Sequence, residues 1–94
     1  MKINITKREQ GYVEFDFSGE GHTLLNLLQS SLLADKNVEM AGYSKPHPLM
    51  DRSRLFLKLK SGDDILGTIK KASEDADGRL DEFLGQFEKS LSNF

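Results

Sequence analysis

Residues 23–34 carry no Asp, Glu, Lys or Arg, although charged residues make up 30% of the chain. The leucines of this segment recur at helical spacings and spread over more than one narrow stripe: Leu24, Leu25, Leu27, Leu28, Leu32 and Leu33. A helix that is wetted on one side keeps a charged outer face, whereas a helix that is apolar most of the way round is buried. A chain of 94 residues has little material to cover both sides of such a helix. We therefore expect another polypeptide to cover the second side.

The composition limits the class of protein. Ninety-four residues predict a single domain over residues 1–94, and no run of about 20 apolar residues is present to span a membrane. Residues 1–10 lack the apolar stretch of a signal peptide, and the absence of cysteine excludes disulfides and thiolate metal sites. Both features fit a cytoplasmic protein. A net charge of -2 argues against a chain that grips nucleic acid unaided.

Alternating patterns predict four strands. Apolar residues alternate with polar ones around Ile3 and Ile5, around Val13, Phe15 and Phe17, and around Leu55, Leu57 and Leu59. Residues 9–11 supply a turn between the first two strands, and residues 38–43 form a further strand. Thr23 is expected to be the N-cap of the leucine helix, because its hydroxyl can accept a free backbone N–H. These elements predict an α+β fold with a mainly antiparallel four-stranded sheet.

The carboxy-terminal third predicts one long helix, from residue 64 to about residue 93. Its apolar residues are spaced by threes and fours: Ile65, Ile69, Ala72, Ala76, Leu80, Phe83, Phe87, Leu91 and Phe94. A continuous helix of this length spans roughly 45 Å, whereas a domain of this size is about 30 Å across. The helix either breaks at Asp77 and Gly78 or extends beyond its own domain onto another chain. The spacing passes through Gly78 without slipping, which favours the second alternative.

Residues that could carry chemistry are few. His22 and His47 are the only histidines, and their spacing is unlike that of compact zinc-ligand pairs. Residues 19–21 form a Gly-Glu-Gly sequence before a helix, but Glu20 would repel an anion and no P-loop lysine follows. We expect structural roles for both histidines, no catalytic residue, no metal and no cofactor.

Two motifs resemble those of the archaeal DNA-directed RNA polymerase subunit L family. Residues 19–28, GEGHTLLNLL, resemble the start of its first helix, and VEMAGY at 38–43 with HPL at 47–49 resembles its second signature. The order of strands and helices agrees as well, so the resemblance covers nearly the whole chain. That family is similar to the smaller alpha-like subunit of eukaryotic nuclear polymerases and to the dimerisation domain of the bacterial alpha subunit.

The resemblance implies a non-catalytic subunit that pairs with a larger alpha-like RNA polymerase subunit to form a platform for the two catalytic large subunits. It implies a dimer face on the leucine helix and the carboxy-terminal helix, with Leu24, Leu25, Leu27, Leu28, Leu32, Ile69, Leu80, Phe83, Leu84, Phe87 and Leu91. It further assigns loop and helix-start roles to Gly19, His22, Thr23, Asn26, Gly42, His47 and Pro48. Contacts with other polymerase subunits are expected, without sequence-specific binding of nucleic acid and without a membrane.

Two other functions are consistent with the residues alone. One is a small cytosolic enzyme or nucleotide-binding domain that uses Glu20 and His22. The other is an unrelated interaction module that forms homodimers, and self-association of the isolated chain is expected from the leucine helix in either case.

Overall fold

The computed structural model describes residues 2–18, 22–44 and 52–94. Its elements are, in order, β1 (Lys2–Glu9), β2 (Tyr12–Ser18), α1 (His22–Leu33), β3 (Val38–Ser44), β4 (Arg52–Leu59), α2 (Ile65–Asp75) and α3 (Asp81–Ser92). The four strands form one antiparallel sheet in the order β1-β2-β4-β3. The predicted α+β class and the four antiparallel strands are confirmed, but there are three helices in place of two.

The helices cover one face of the sheet. Strand alternation places Val13, Phe15 and Phe17 of β2 on this face, beside the buried leucines of β4. Helix α1 contacts β3, α3 contacts β1, and α2 contacts both other helices. The fold therefore has two layers, with the hydrophobic core between the sheet and the helices and with the opposite face of the sheet left open.

The β1–β2 hairpin is attached to the turn that precedes α2. Gly11 has a φ of 71°, a left-handed conformation that glycine adopts without steric cost. Its N–H donates to Asp63 Oδ1 at 2.6 Å, and Arg8 Nη1 donates to the same oxygen at 2.7 Å. These two hydrogen bonds, the one from Arg8 first, hold the pKa of Asp63 below its ordinary value.

The predicted long carboxy-terminal helix is interrupted. Helix α2 ends at Asp75 and α3 begins at Asp81, with left-handed φ values of 56° at Asp77 and 78° at Gly78. The N–H of Gly78 donates to the Ser73 carbonyl and the N–H of Asp77 to the Glu74 carbonyl, which is the hydrogen-bond pattern of a Schellman motif. The hydroxyl of Ser73 also donates to Asp81 Oδ1 at 2.9 Å across the turn. The expectation of a continuous, overhanging helix is therefore wrong.

Because of this turn, α3 folds back onto its own sheet. The rings of Phe83 and Phe87 lie 5.9 and 5.2 Å from the ring of Phe15, and Phe83 lies 5.4 Å from Phe17. Both α3 rings are buried, with 1% exposure for Phe83 and 0% for Phe87. The prediction that only a partner chain could cover them is also wrong, since β2 covers them.

The interruption of the helix can be tested with two glycine substitutions. Gly78→Ala should destabilise the chain by about 1 kcal/mol, because alanine resists a left-handed φ and its Cβ would lie 3.1 Å from Asp81 Oδ2. Gly85→Ala is the matched control, since its Cβ would meet nothing within 4 Å and should stabilise α3 by about 0.5–1 kcal/mol. Urea denaturation measures both. A stabilising effect of Gly78→Ala would show that the helix continues through this position.

The packing of α3 can be tested with two phenylalanine substitutions. Phe87→Ala should lower the unfolding free energy of the isolated chain by about 3–5 kcal/mol, because it removes a fully buried ring. Phe94→Ala is the control, because that ring is 64% exposed and its loss should change stability by less than about 0.5 kcal/mol. If both variants retain the stability of the original chain, α3 does not pack on the sheet.

Candidate interaction surface

Helix α1 has one buried face and one uncharged exposed face. Leu25, Leu28 and Leu32 are buried in the core with 2%, 1% and 2% exposure. On the opposite face Thr23, Asn26, Ser30 and Leu33 are exposed, and Leu24 and Leu27 at its margin are half-buried. We call these six residues the α1 surface. Exposed positions on α2 include Lys70, Lys71, Glu74 and Asp75, so the absence of charge on the outer side is a property of α1 rather than of the helix layer.

Polar contacts attach α1 to the edge strand β3. The hydroxyl of Tyr43 donates to Asn26 Oδ1 at 2.8 Å, and Gln29 Nε2 donates to the Ala41 carbonyl at 3.4 Å. Both bonds lie on one flank of the helix, and Leu24 and Leu27 lie on the other. The α1 surface is therefore presented on a helix that is fixed by its buried leucines beneath and by β3 at its side.

Gly42 allows β3 and β4 to approach closely. A Cβ at this position would lie 2.9 Å from Cζ of Phe56, the residue paired with Gly42 on β4. Any side chain here would displace that ring or separate the strands. Of the residues assigned to motifs, Gly42 thus has a direct packing reason for its identity.

The residues expected at the dimer face fall into two groups. In the described structure, seven are buried in the core of the chain itself: Leu25, Leu28, Leu32, Ile69, Leu80, Phe83 and Phe87. Four are half-buried and partly accessible: Leu24, Leu27, Leu84 and Leu91. In this structure only the second group is available to another chain. The first group supports the helices from beneath.

The motif residues are only partly described. Thr23 and Asn26 are exposed on α1, and α1 begins at His22, so Thr23 lies in the first turn and is not the N-cap that we expected. The side chain of His22 lies outside the described part of the structure, as do Gly19, His47, Pro48 and Glu20. The alternative enzymatic site at Glu20 and His22 falls outside it for the same reason.

One residue of the surface was not among the expected dimer residues. Leu33 is 53% exposed, and the other exposed large hydrophobic side chains of the described chain are Met40 and Phe94. The signal was present in the sequence, because Leu33 lies well away from Leu25, Leu28 and Leu32 on a helical projection and within an uncharged run.

The described residues give no support for a metal site or a membrane span. Within residues 2–18, 22–44 and 52–94, no three His, Asp or Glu side chains are grouped so that they could hold a metal ion. Over the same ranges, no helix has the length and apolar character needed to cross a membrane.

Comparison with known proteins identifies a family. The family model of the RNA polymerase Rpb3/Rpb11 dimerisation domain matches residues 12–86. DNA-directed RNA polymerase subunit Rpo11 of Methanothrix thermoacetophila is 38% identical over 91 residues, which cover 97% of this chain and 99% of the relative. Subunit Rpo11 of Archaeoglobus fulgidus is 42% identical over 74 residues, covering 79% of this chain and 85% of the relative.

A solved structure shares the fold. DNA-directed RNA polymerase subunit L from Thermoplasma acidophilum superposes with a TM-score of 0.70 at 24% identity, covering 98% of this chain and 90% of that one.

The α1 surface should make the isolated chain self-associate. At micromolar concentration we expect dimers or larger species in sedimentation velocity, because an uncharged surface with exposed leucine is unfavourable in water. Leu33→Lys should shift the distribution toward monomer, whereas Gln86→Lys, an exposed change to the same side chain on α3, should not. A chain that is strictly monomeric would contradict this expectation.

Proposed function

Because the chain belongs to the Rpo11 family and carries the Rpb3/Rpb11 dimerisation domain, we propose that it pairs with the larger alpha-like polymerase subunit through the α1 surface. Membership of this family makes the chain a non-catalytic assembly subunit of DNA-directed RNA polymerase. In the proposed assembly, the heterodimer is the platform on which the two catalytic large subunits meet.

The observation that carries the pairing is the uncharged exposed face of α1. The central parts of protein interfaces are depleted of charged residues, while their rims stay polar. The α1 surface has this character: leucine at Leu24, Leu27 and Leu33, with the small polar side chains of Thr23 and Ser30 beside them. The charged outer positions of α2 fit the rim of such an interface.

The two groups of expected dimer residues have different proposed roles. Leu24 and Leu27 contact the partner directly, and Leu84 and Leu91 extend the contact on α3. The buried group acts indirectly, because its members hold α1 and α3 against the sheet. This arrangement keeps the interface preformed, which lowers the cost of ordering on association.

The remaining expectations stay part of the proposal. Gly19, His22, His47 and Pro48 shape the loops that precede α1 and β4, where they would meet neighbouring polymerase subunits. The chain takes no direct part in sequence-specific recognition of nucleic acid, in line with its net charge of -2. Its location is the cytoplasm, together with the polymerase.

A charge-insertion experiment tests the pairing. Ser30→Lys with Leu33→Lys places two ammonium groups in the α1 surface at exposed positions, so the stability of the free chain should change little. Binding to the purified larger alpha-like subunit, measured by isothermal titration calorimetry, should weaken by about thirtyfold or more, since a central interface position is typically worth at least ~2 kcal/mol.

The control carries the same charge elsewhere. Gln86→Lys with Ser92→Lys adds two lysines at exposed positions of α3 and should leave the affinity within about twofold of the original. Equal affinity of both double variants for the larger subunit would show that α1 is not the pairing surface. Absence of binding by the unaltered chain would refute the pairing itself.

A further inference from the structure

The face of the sheet opposite the helices carries an ordered arrangement of charges. Strand pairing places Lys2, Ser18 and Arg52 side by side across β1, β2 and β4. The next row on the same face contains Asn4, Asp16 and Arg54. Because side chains alternate along a strand, both rows lie on the open face, away from the core residues Ile3 and Phe17.

Asp16 organises the cations of these rows. Arg54 Nε donates to Asp16 Oδ1 at 2.9 Å, and Arg52 Nη1 lies 3.8 Å from Asp16 Oδ2. The Asp16 side chain is only 9% exposed, whereas those of Arg52 and Arg54 are 40% and 42% exposed. The hydrogen bond to Asp16 also raises the pKa of the Arg54 guanidinium. One buried carboxylate thus restrains two guanidinium groups that still reach solvent.

A cleft lies between the cations. Its volume is about 390 Å³, and it is lined by Lys2, Ile3, Asn4, Asp16, Ser18 and Arg52. Lys2 and Arg52 stand on opposite sides of the small Ser18 side chain, on strands that are two interstrand spacings, or about 10 Å, apart. Lys2, Arg52 and Arg54 bring three positive charges against the single negative charge of Asp16, which leaves an excess of two.

We propose that this cleft, between Lys2 and Arg52 on the open face of the sheet, binds an acidic segment of another polypeptide. A carboxylate side chain between the two cations would gain charge-assisted hydrogen bonds from both. Asn4 and Ser18 supply further polar groups on the floor of the cleft. This contact lies on the opposite side of the molecule from the α1 surface and does not depend on it. A polymerase neighbour could occupy the cleft while another subunit occupies α1.

The charge pattern favours a peptide over a nucleic acid. Duplex or single-stranded nucleic acid needs cations repeated along its phosphate backbone. Beyond the Asp16 row, the open face carries Glu14, and Lys58 is paired with Glu39 at 3.3 Å. The excess of positive charge is therefore confined to the end of the sheet that holds Lys2 and Arg52. Such a local patch suits one or two carboxylates.

The probe is a fluorescein-labelled hexaglutamate peptide, titrated with the full chain at low ionic strength and followed by fluorescence anisotropy. We expect saturable binding that weakens about fivefold in Lys2→Gln with Arg52→Gln, because each exposed ion pair contributes modestly. Lys2→Gln alone should weaken it about twofold and serves if the double variant does not fold. Self-association through α1 leaves the open face accessible.

Lys70→Gln with Lys71→Gln is the matched control, because it removes the same charge from exposed positions of α2. It should leave the affinity within about twofold, as surface charges far from a site contribute little. An equal loss in both double variants, or no binding by the unaltered chain, would overturn the proposal. Tighter binding of an oligothymidylate, or full competition by inorganic phosphate at equal charge, would also overturn it, in favour of a nucleic-acid or a simple anion site.

Discussion

The contact between the phenylalanines of β2 and those of α3 determines what the rest of the chain can do. Phe83 and Phe87 fill the space above Phe15 and Phe17, with ring separations of 5.2 to 5.9 Å. Aromatic pairs at these distances contribute packing energy beyond the area that they bury. Because α3 supplies these rings, the core is closed by the chain itself, and another chain is not needed to cover β2.

A closed core restricts where a partner can bind. Most leucines that suggested an interface are used internally, and the α1 surface is the part of the leucine helix that remains uncharged and exposed. On the proposed function, the larger alpha-like subunit therefore meets a preformed helix face rather than an unfolded segment, so little ordering accompanies association. The open face of the sheet is polar and lies on the other side, which lets the chain connect two neighbours at once.

The sequence predicted the strands well and the last helix poorly, for physical reasons. Strand alternation has period two and was plain around Ile3, Phe15 and Leu57, so the sheet followed from it. Apolar spacing through Gly78 was regular on both sides of the break, and periodicity alone does not reveal a left-handed residue such as Asp77. The family resemblance supplied a function, but the division of its leucines between core and surface required the three-dimensional packing.

Hydrogen–deuterium exchange of the chain alone and in complex with the larger alpha-like subunit tests the central claim, that a self-sufficient core presents α1 to its partner. Residues 83–87 should be strongly protected in the free chain and should change little on binding, because β2 already covers them. Protection should increase in residues 23–33. If α3 is unprotected until the complex forms, while α1 does not respond, the core is not closed by this chain and the account is contradicted.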